Sequence, residues 1–441
     1  MPPRTPRRQS RVPTSRLGRF FRFGLMAGEL AIGGLTQGLR RLMEEGPLDT
    51  AAAFLNARNA QKLAQGLSHL RGAAMKIGQL LSLEGEDMLP PEFTQALAIL
   101  RAEANPMPLT QLRRLLGREY GRGWERRFAR FDFEPLAAAS IGQVHRVRAK
   151  DGRELALKIQ YPGVAHSIDS DVDNLALLFR LLNFLPVDLE VSGLVAEAKR
   201  QLHQEADYLQ EARYLTRYRE LVADEPGLWL PRVHADLTTK RILAMDFARG
   251  KPLETLTKPE VPQARRDAAG RLLERLLFRE LFEFRCMQTD PNFANYLVAP
   301  EGGRIVLLDF GSVREFPAAF VARYARICRA IINGDRSGIR EAAVDIGYLA
   351  PDDPEERVEG VVDLILLSCE PLRHAGCYDF AQSGLPARAR ALGFDLVFRR
   401  GYLRPPPPET VFLHRKLVGS FFLCARLGAR VDVQSLILPL L

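Results

Sequence analysis

The sequence predicts an α+β fold, with a small strand-rich lobe, a larger helical lobe after it and a helical extension in front. Three observations carry that expectation. Ile141 to Val147 and Leu155 to Gln160 are short β-prone runs joined by Asp151-Gly152, a strong hairpin signal. From about residue 249 helical sequence dominates, apart from a second hairpin pattern at Tyr296 to Val298 and Ile305 to Leu308 around Glu301-Gly302-Gly303. Flanking that second hairpin are Asp290-Pro291-Asn292-Phe293-Ala294-Asn295 and Asp309-Phe310-Gly311, polar residues in an order that suggests chemistry rather than packing.

Four zones follow along the chain. Residues 1–48 form a basic and apolar extension. Arg4, Arg7, Arg8, Arg11, Arg16, Arg19 and Arg22 all precede Glu29, the first acidic residue. Phe20 to Leu39 is apolar and carries two GxxxG spacings, Gly24/Gly28 and Gly34/Gly38, the pattern that lets helices approach closely in lipid. Arg22 and Glu29 interrupt it, so it falls short of a spanning helix. A basic flank before an apolar, glycine-rich segment suits an anionic membrane surface. The interrupted run and the lack of a clear cleavage site disfavour a secretory signal, whereas the Arg-rich, acid-poor tail leaves an organelle transit peptide open. No uninterrupted apolar stretch of about 18 residues occurs elsewhere, so no other span is expected.

Residues 49–130 read as a helical zone, with breaks at Pro90-Pro91 and Asn105-Pro106 and a helix resuming from Leu109 to Leu116 before Gly121 and Gly123. Residues 131–248 form the strand-rich lobe: the first hairpin, helices from about Ile168 to Phe184 and from Ser192 to Leu221, and a strand from Arg241 to Phe247. Residues 249–441 form the helical lobe. Arg249-Gly250-Lys251-Pro252 reads as a linker into it, and Pro405 to Pro408 as a stiff connector within it.

Composition narrows the function. A chain of 441 residues with 46% hydrophobic and 26% charged residues is ordinary for a globular protein and long enough for a full core. Its five cysteines form no C-x-x-C pair and its seven histidines show no metal-ligand spacing, which argues against a disulfide scaffold or a zinc site. The net charge of +9 suggests a polyanionic partner, but no recognisable nucleic-acid module surrounds the arginines, so no nucleic acid is expected.

The polar residues suit phosphoryl transfer. An Asp, four residues, an Asn, a short strand and DFG is the metal-and-base arrangement of the protein-kinase fold, and strand-rich then helical is its two-lobe order. Asp290 then stands at the transfer position, while Asn295 and Asp309 hold the Mg2+ that bridges ATP phosphates. Leu155-Ala156-Leu157-Lys158 reads as the apolar strand delivering a phosphate-binding lysine. Alone, such a lysine is more often a snorkelling surface residue. Its value depends on a carboxylate partner: Asp207 and Glu211 stand four apart on one expected helix, with Glu211 the choice and Asp207 the alternative. Where a kinase carries a glycine-rich turn over the phosphates, this chain has Leu136-Ala137-Ala138-Ala139-Ser140-Ile141-Gly142. Each alanine keeps a methyl and disfavours positive φ, so this segment is less able to wrap a triphosphate. Ala137, Ala138, Ala139, Ser140, Lys158, Asp246 and Ala248 make up the expected nucleotide-binding set.

AAAS followed by IGQVH, KIQYPGV, the KxGQ of Lys76 to Gln79, the ExD of Glu205 to Asp207, QTDPNFAN and LLDFG make the chain similar to the UbiB family of atypical kinases, also called the ADCK group, and most to members that support coenzyme Q biosynthesis. The resemblance runs from about Val12 to Val431, from VPTSRLGRF to LHRKLVGSFF, and the combination is highly specific. It implies the two-lobe kinase-like fold, the Lys158–Glu211 pair, Asp290 as the catalytic-loop aspartate, and Asn295 and Asp309 as metal ligands. It further implies that Lys76 and Gln79 lie in an extension folded over the site, where Lys76 meets Glu205 and Asp207. On one regular helix these two acids would point about 200° apart, so both reach Lys76 only if the helix begins or distorts there.

The function expected from all this is an ATP-binding, Mg-dependent atypical kinase or ATPase that supports ubiquinone biosynthesis at a membrane surface. The short run from Gly311 through Ser312-Val313-Arg314-Glu315-Phe316 into helix, without an A-P-E triplet, counts against a conventional protein kinase. The intact Asp290, Asn295 and Asp309 weigh against a nucleotide-binding pseudokinase scaffold. The implied partners are anionic membrane lipids and quinone-biosynthesis proteins or lipid-like quinone intermediates. The implied place is the inner membrane's cytoplasmic face in a bacterium, or the mitochondrial matrix side in a eukaryote.

Overall fold

The computed structural model describes residues 67, 73–74, 106–181, 191–300, 302–402 and 407–441. These divide into two compact units. Residues up to Arg213 together with Arg232–Phe247 form the first, and Tyr214–Pro231 together with Ala248–Leu441 form the second.

The first unit is built on a five-stranded antiparallel sheet. Its strands are β1 (Phe128–Phe131), β2 (Ala137–Ala138), β3 (Gly142–Ala149), β4 (Glu154–Gln160) and β5 (Ile242–Asp246), with β3 and β4 at the centre. The hairpin expected at Asp151-Gly152 is present, with Val144 opposite Lys158 and Val147 opposite Leu155. Alternation along β4 sorts its side chains by face. Leu155, Leu157 and Ile159 join Val147, Ile242 and Ala244 in one apolar cluster, while Ala156, Lys158 and Gln160 take the opposite face.

Helix α1 (Leu109–Tyr120) covers that cluster with Leu112, Leu115 and Leu116, spaced as one helical face. This corrects the sequence reading in one respect. The helix expected to close a separate extension ending at 130 is part of the sheet's own core, joined by Trp124 and Phe128.

Helices α2 (Val164–Leu181), α3 (Val191–Glu205) and α4 (Tyr208–Leu221) follow. The single helix expected from Ser192 to Leu221 is therefore two. The break falls at Ala206-Asp207, where Asp207 Oδ1 accepts the Gln210 backbone N–H at 2.9 Å and caps the new helix.

In the second unit, Leu228–Trp229, Ile305–Leu307, Tyr296–Val298 and Lys251–Pro252 form a four-stranded sheet in that order. The hairpin expected at Glu301-Gly302-Gly303 is thus present, with Val298 opposite Ile305. Lys251-Pro252, expected as linker, is instead an edge strand, and proline suits an edge because it has no N–H to donate. A second small pair joins Cys286–Gln288 to Val313–Glu315. Leu228–Trp229 is parallel to Ile305–Leu307, which is why residues 214–231 group here rather than with the strands around them in sequence.

The longer helices lying wholly in this unit are α5 (Gln263–Phe278), α6 (Ala318–Ile332), α7 (Arg336–Ile346), α8 (Glu355–Ser368), α9 (Leu385–Phe394) and α10 (Pro408–Leu427). A wider π turn, Arg279–Glu283, extends α5. The chain passes from Val313–Glu315 directly into α6, so the segment after DFG is as short as the sequence implied.

Candidate active site

Lys158 enters from β4 on the face away from the sheet's apolar cluster. Its Nζ lies 2.7 Å from Glu211 Oε1 and 3.0 Å from Oε2, and 5.4 Å from the centroid of the Tyr208 ring. Glu211 sits in the first turn of α4 and is 1% exposed. Of the two carboxylates weighed as partner, the structure pairs Glu211, while Asp207 is taken up in capping the same helix. Both facts follow from the break at 206–207: a helix beginning at Tyr208 turns Glu211 inward and leaves Asp207 exposed at its start.

The alanine-rich segment is neither open loop nor helix. Ala137 and Ala138 form β2, paired with Val144 and Gln143, and the Ala139 N–H donates to Gly142 O at 2.9 Å to close a tight turn. Ala137 and Ala138 are exposed. Ser140 Oγ donates to Glu205 Oε2 at 2.7 Å, tying the turn to the end of α3. Gly142 has to be glycine: a Cβ there would come within 2.5 Å of Ile159 O and 2.8 Å of Tyr208 Oη.

Asp246 ends β5 with its side chain engaged. Oδ2 accepts the Arg232 backbone N–H at 2.9 Å, and Oδ1 lies 2.7 Å from His234 Nε2. Arg153 approaches the other ring nitrogen, Nδ1, at 2.8 Å, so the imidazole accepts from Arg153 and donates to Asp246. Ala248 follows the strand, half-buried. Lys76 and Gln79 lie outside the described residues. For Glu205 and Asp207, the geometric condition set by the sequence is met, because one acid ends α3 and the other caps α4.

In the second unit, the two polar motifs are brought together by the Cys286–Gln288 and Val313–Glu315 pair. Thr289 is fully buried: its N–H donates to Ser312 O at 2.8 Å and its hydroxyl lies 2.9 Å from Ser312 Oγ. Asp290 follows at once. Asn295 Nδ2 donates to Asp290 Oδ2 and to Asp290 O, both at 3.0 Å. Asp309 Oδ1 accepts the Gly311 N–H at 2.8 Å. Phe310 is buried, its ring centroid 4.7 Å from that of Tyr218, which anchors the turn from below.

A hard divalent cation fits this donor set. Asn295 turns its Nδ2 toward Asp290, so its carbonyl oxygen is the end left for a ligand role, and Asp309 offers a carboxylate. Oxygen donors few in number, with phosphate and water completing the shell, are what Mg2+ takes. Among the described residues, no cluster of three or more His, Cys, Asp or Glu that could hold a metal ion occurs.

Sequence reasoning missed a buried charge network beneath this loop. Lys416 Nζ lies 3.1 Å from Glu280 Oε2 and 3.3 Å from Gln288 Oε1, and Glu280 Oε1 accepts from Tyr218 Oη at 3.0 Å. Burial raises the Glu280 carboxyl above its ordinary value, while the Lys416 ammonium pulls it back. Arg415 Nη2 donates to Asp290 Oδ1 at 2.6 Å. A signal existed: Arg415-Lys416 are adjacent cations in a mostly apolar stretch of helix, Leu413 to Phe422.

A strand lysine ion-paired to a helix glutamate, an Asp–Asn loop and a DFG turn define a protein of the protein-kinase-like class. The chain belongs to the family of the ABC1 atypical kinase-like domain, whose model matches residues 99–343. It is 38% identical over 431 residues to the atypical kinase COQ8B, mitochondrial, of Rattus norvegicus, covering 97% of this chain and 81% of the rat protein. With the atypical kinase COQ8, mitochondrial, of Saccharomyces cerevisiae it shares 36% over 432 residues, 97% of this chain and 85% of the yeast protein. Among solved structures, the complex of Rv3197 with erythromycin from Mycobacterium tuberculosis matches with a TM-score of 0.60 and 25% identity, over 88% of this chain and 97% of that one. The fold is kinase-like, and the chain is an atypical kinase of the COQ8/UbiB family. Among the described residues, no helix is long and apolar enough to cross a membrane.

Proposed function

We propose that the chain binds ATP with Mg2+ and transfers the terminal phosphoryl group to water or a small lipid-like acceptor, in support of ubiquinone biosynthesis at a membrane surface. The observation that carries this reading is the formed Lys158–Glu211 pair, buried at 2.7 Å, in a chain that also keeps Asp290, Asn295 and Asp309. A buried ion pair costs desolvation and is a poor device for stability alone. A lysine so held is a fixed positive charge for the α- and β-phosphates. Asn295 and Asp309 would hold the cation, which when bound offsets phosphate charge. Asp290 would orient the acceptor, with the amide of Asn295 fixing its carboxylate.

The paired, exposed alanine strand and the direct passage from Val313–Glu315 into α6 favour a small acceptor over a peptide. The ubiquinone assignment draws on the family, and the membrane assignment on the basic, apolar first 48 residues, which lie outside the described residues. A nucleotide-binding scaffold without turnover is the second reading, favoured by the alanine-rich turn.

Purified protein with labelled ATP separates the readings. Phosphate release stimulated by anionic vesicles is the expected result. Labelled peptide would make it a protein kinase, and saturable binding without release would make it a scaffold.

A further inference from the structure

Helix α10 carries a second set of contacts to the Asp290 loop, from residues whose role the kinase motifs do not state. Arg415, Lys416, Gly419 and Ser420 share one face by their spacing. Arg415 reaches Asp290 Oδ1 at 2.6 Å. Lys416 reaches Gln288 Oε1 at 3.3 Å, two residues earlier in the loop. At Gly419, a Cβ would fall 2.1 Å from Pro291 Cγ, so only glycine lets the proline ring rest on the helix. The helix therefore grips three of four successive loop residues, by an amide, a carboxylate and a ring.

We infer that Arg415 is a positioning residue for phosphoryl transfer, acting through Asp290. Arg415 approaches that carboxylate at Oδ1 and Asn295 at Oδ2, one donor on each oxygen's side, which restrains its plane. The guanidinium is 5% exposed while the carboxylate is 22% exposed, so a buried cation supports a carboxylate that still meets solvent. Packing alone does not call for this. A well-packed apolar side chain at 415 would serve the fold as well or better, since a buried ion pair seldom repays its desolvation. Asp290 and ATP phosphates are both negative, and Arg415 supplies a charge that lets the carboxylate stay in place beside them. A loop displaced by about 1 Å can cost roughly 10²-fold in rate, which is the scale on which such a clamp matters.

This inference rests on Asp290 standing at the transfer position, and the test separates the two. Turnover of ATP is measured for the full chain, for Arg415→Gln, Arg415→Lys, Asp290→Asn and the double variant, with Val418→Ala as a solvent-facing control on the same helix. Thermal midpoint and the shift induced by Mg-ATP are recorded for each. Arg415→Gln should lower kcat by about 10²-fold or more with KM for ATP changed less than about threefold. Arg415→Lys should recover part of kcat, and adding Arg415→Gln to Asp290→Asn should cost nothing further, because residues acting as a unit are not additive. Val418→Ala should match the parent.

Parental kcat in Arg415→Gln overturns the inference. So does a loss in which kcat, KM and midpoint fall together without recovery by lysine, which would make Arg415 a folding residue. If Arg415→Gln does not fold, Arg415→Lys and Gly419→Ala carry the test. Gly419→Ala disturbs the same loop without touching charge, and a parental kcat in both overturns the inference equally. If Asp290→Asn turns over like the parent, the reading of Asp290 itself fails. If Asp290→Asn is inactive while Arg415→Gln is not, only the role of Arg415 falls.

Discussion

Lys158 and Glu211 form a buried ion pair, 2.7 Å from Nζ to Oε1, that joins the central strand of the sheet to the first turn of α4. Removing one partner should cost about 3–5 kcal/mol, because the other charge is left buried and uncompensated. Lys158→Ala should therefore unfold at a clearly lower temperature than the parent. The double change Lys158→Met with Glu211→Leu should recover most of that loss, since an apolar pair of similar volume is cheap to bury. Neither variant should show the Mg-ATP-induced thermal shift of the parent. A double variant that regains the shift along with stability would remove the pair from nucleotide binding.

The alanine turn is a strand and a tight turn latched by Ser140 to Glu205. Ala138→Gly and Ala139→Gly should loosen it toward the phosphate-wrapping backbone, changing ATP affinity and raising phosphorylation of the protein itself. Ser140→Ala, by releasing the latch, should move both in the same direction and by less. Affinity and self-phosphorylation equal to the parent in all three would place the turn away from the phosphates.

Glu274 gives a stability signature in pH. It is fully buried, accepts from Ser420 Oγ at 2.6 Å, and burial pushes its carboxyl up to about 7, with Ser420, Cys424 and Lys416 acting in the lowering direction. Its folded value lies above its unfolded value, so the folded state binds the extra proton between about pH 4.5 and 7. Stability from this group is then full below about 4.5 and is lost as pH rises through 7. Glu274→Gln should unfold at a higher temperature than the parent at pH 8, by an amount equivalent to about 1–3 kcal/mol, and show no advantage at pH 4.5. Melts in parallel at the two pH values decide it, and an advantage that is equal at both, or larger at the acid end, would contradict it.

The first 40 residues should carry membrane affinity. Their seven arginines before Glu29 would each contribute up to about 1 kcal/mol when close to anionic lipid. Deleting residues 1–40 should shift the protein from floating with vesicles to staying in solution, and salt should weaken flotation of the full chain. Equal flotation of both forms would put the membrane contact elsewhere.

Much of this was legible in the sequence where local signals and chemistry agreed. Asp151-Gly152 between two apolar runs is a strong hairpin signal, and DPNFAN with DFG points to candidate metal ligands by residue type and spacing alone. The break at Ala206-Asp207 was less legible, because the flanking sequence favours helix on both sides and only the cap geometry of Asp207 ends one helix and starts the next. Lys251-Pro252 read as linker because proline and glycine are ambiguous between turn and edge strand; its partner Leu297 is more than forty residues away, and pairing at that range leaves no local mark. Arg415 was hidden for the same reason, 125 residues from Asp290. Its one signal was chemical: two cations side by side in a mostly apolar stretch of helix. Lys76, expected to meet Glu205 and Asp207, lies outside the described residues.

The most direct measurement is ATP turnover and ligand-induced thermal shift in Asp309→Asn, with and without Mg2+. Asp309 is the carboxylate of the DFG turn, held by the Gly311 N–H at 2.8 Å. The parent should release phosphate only with divalent metal and should gain thermal stability with Mg-ATP. In Asp309→Asn both should be abolished or greatly weakened, because the cation that offsets phosphate charge loses its anionic ligand. Metal-dependent turnover and an ATP-induced shift equal to the parent's in that variant would contradict the assignment of this chain's phosphoryl-transfer site.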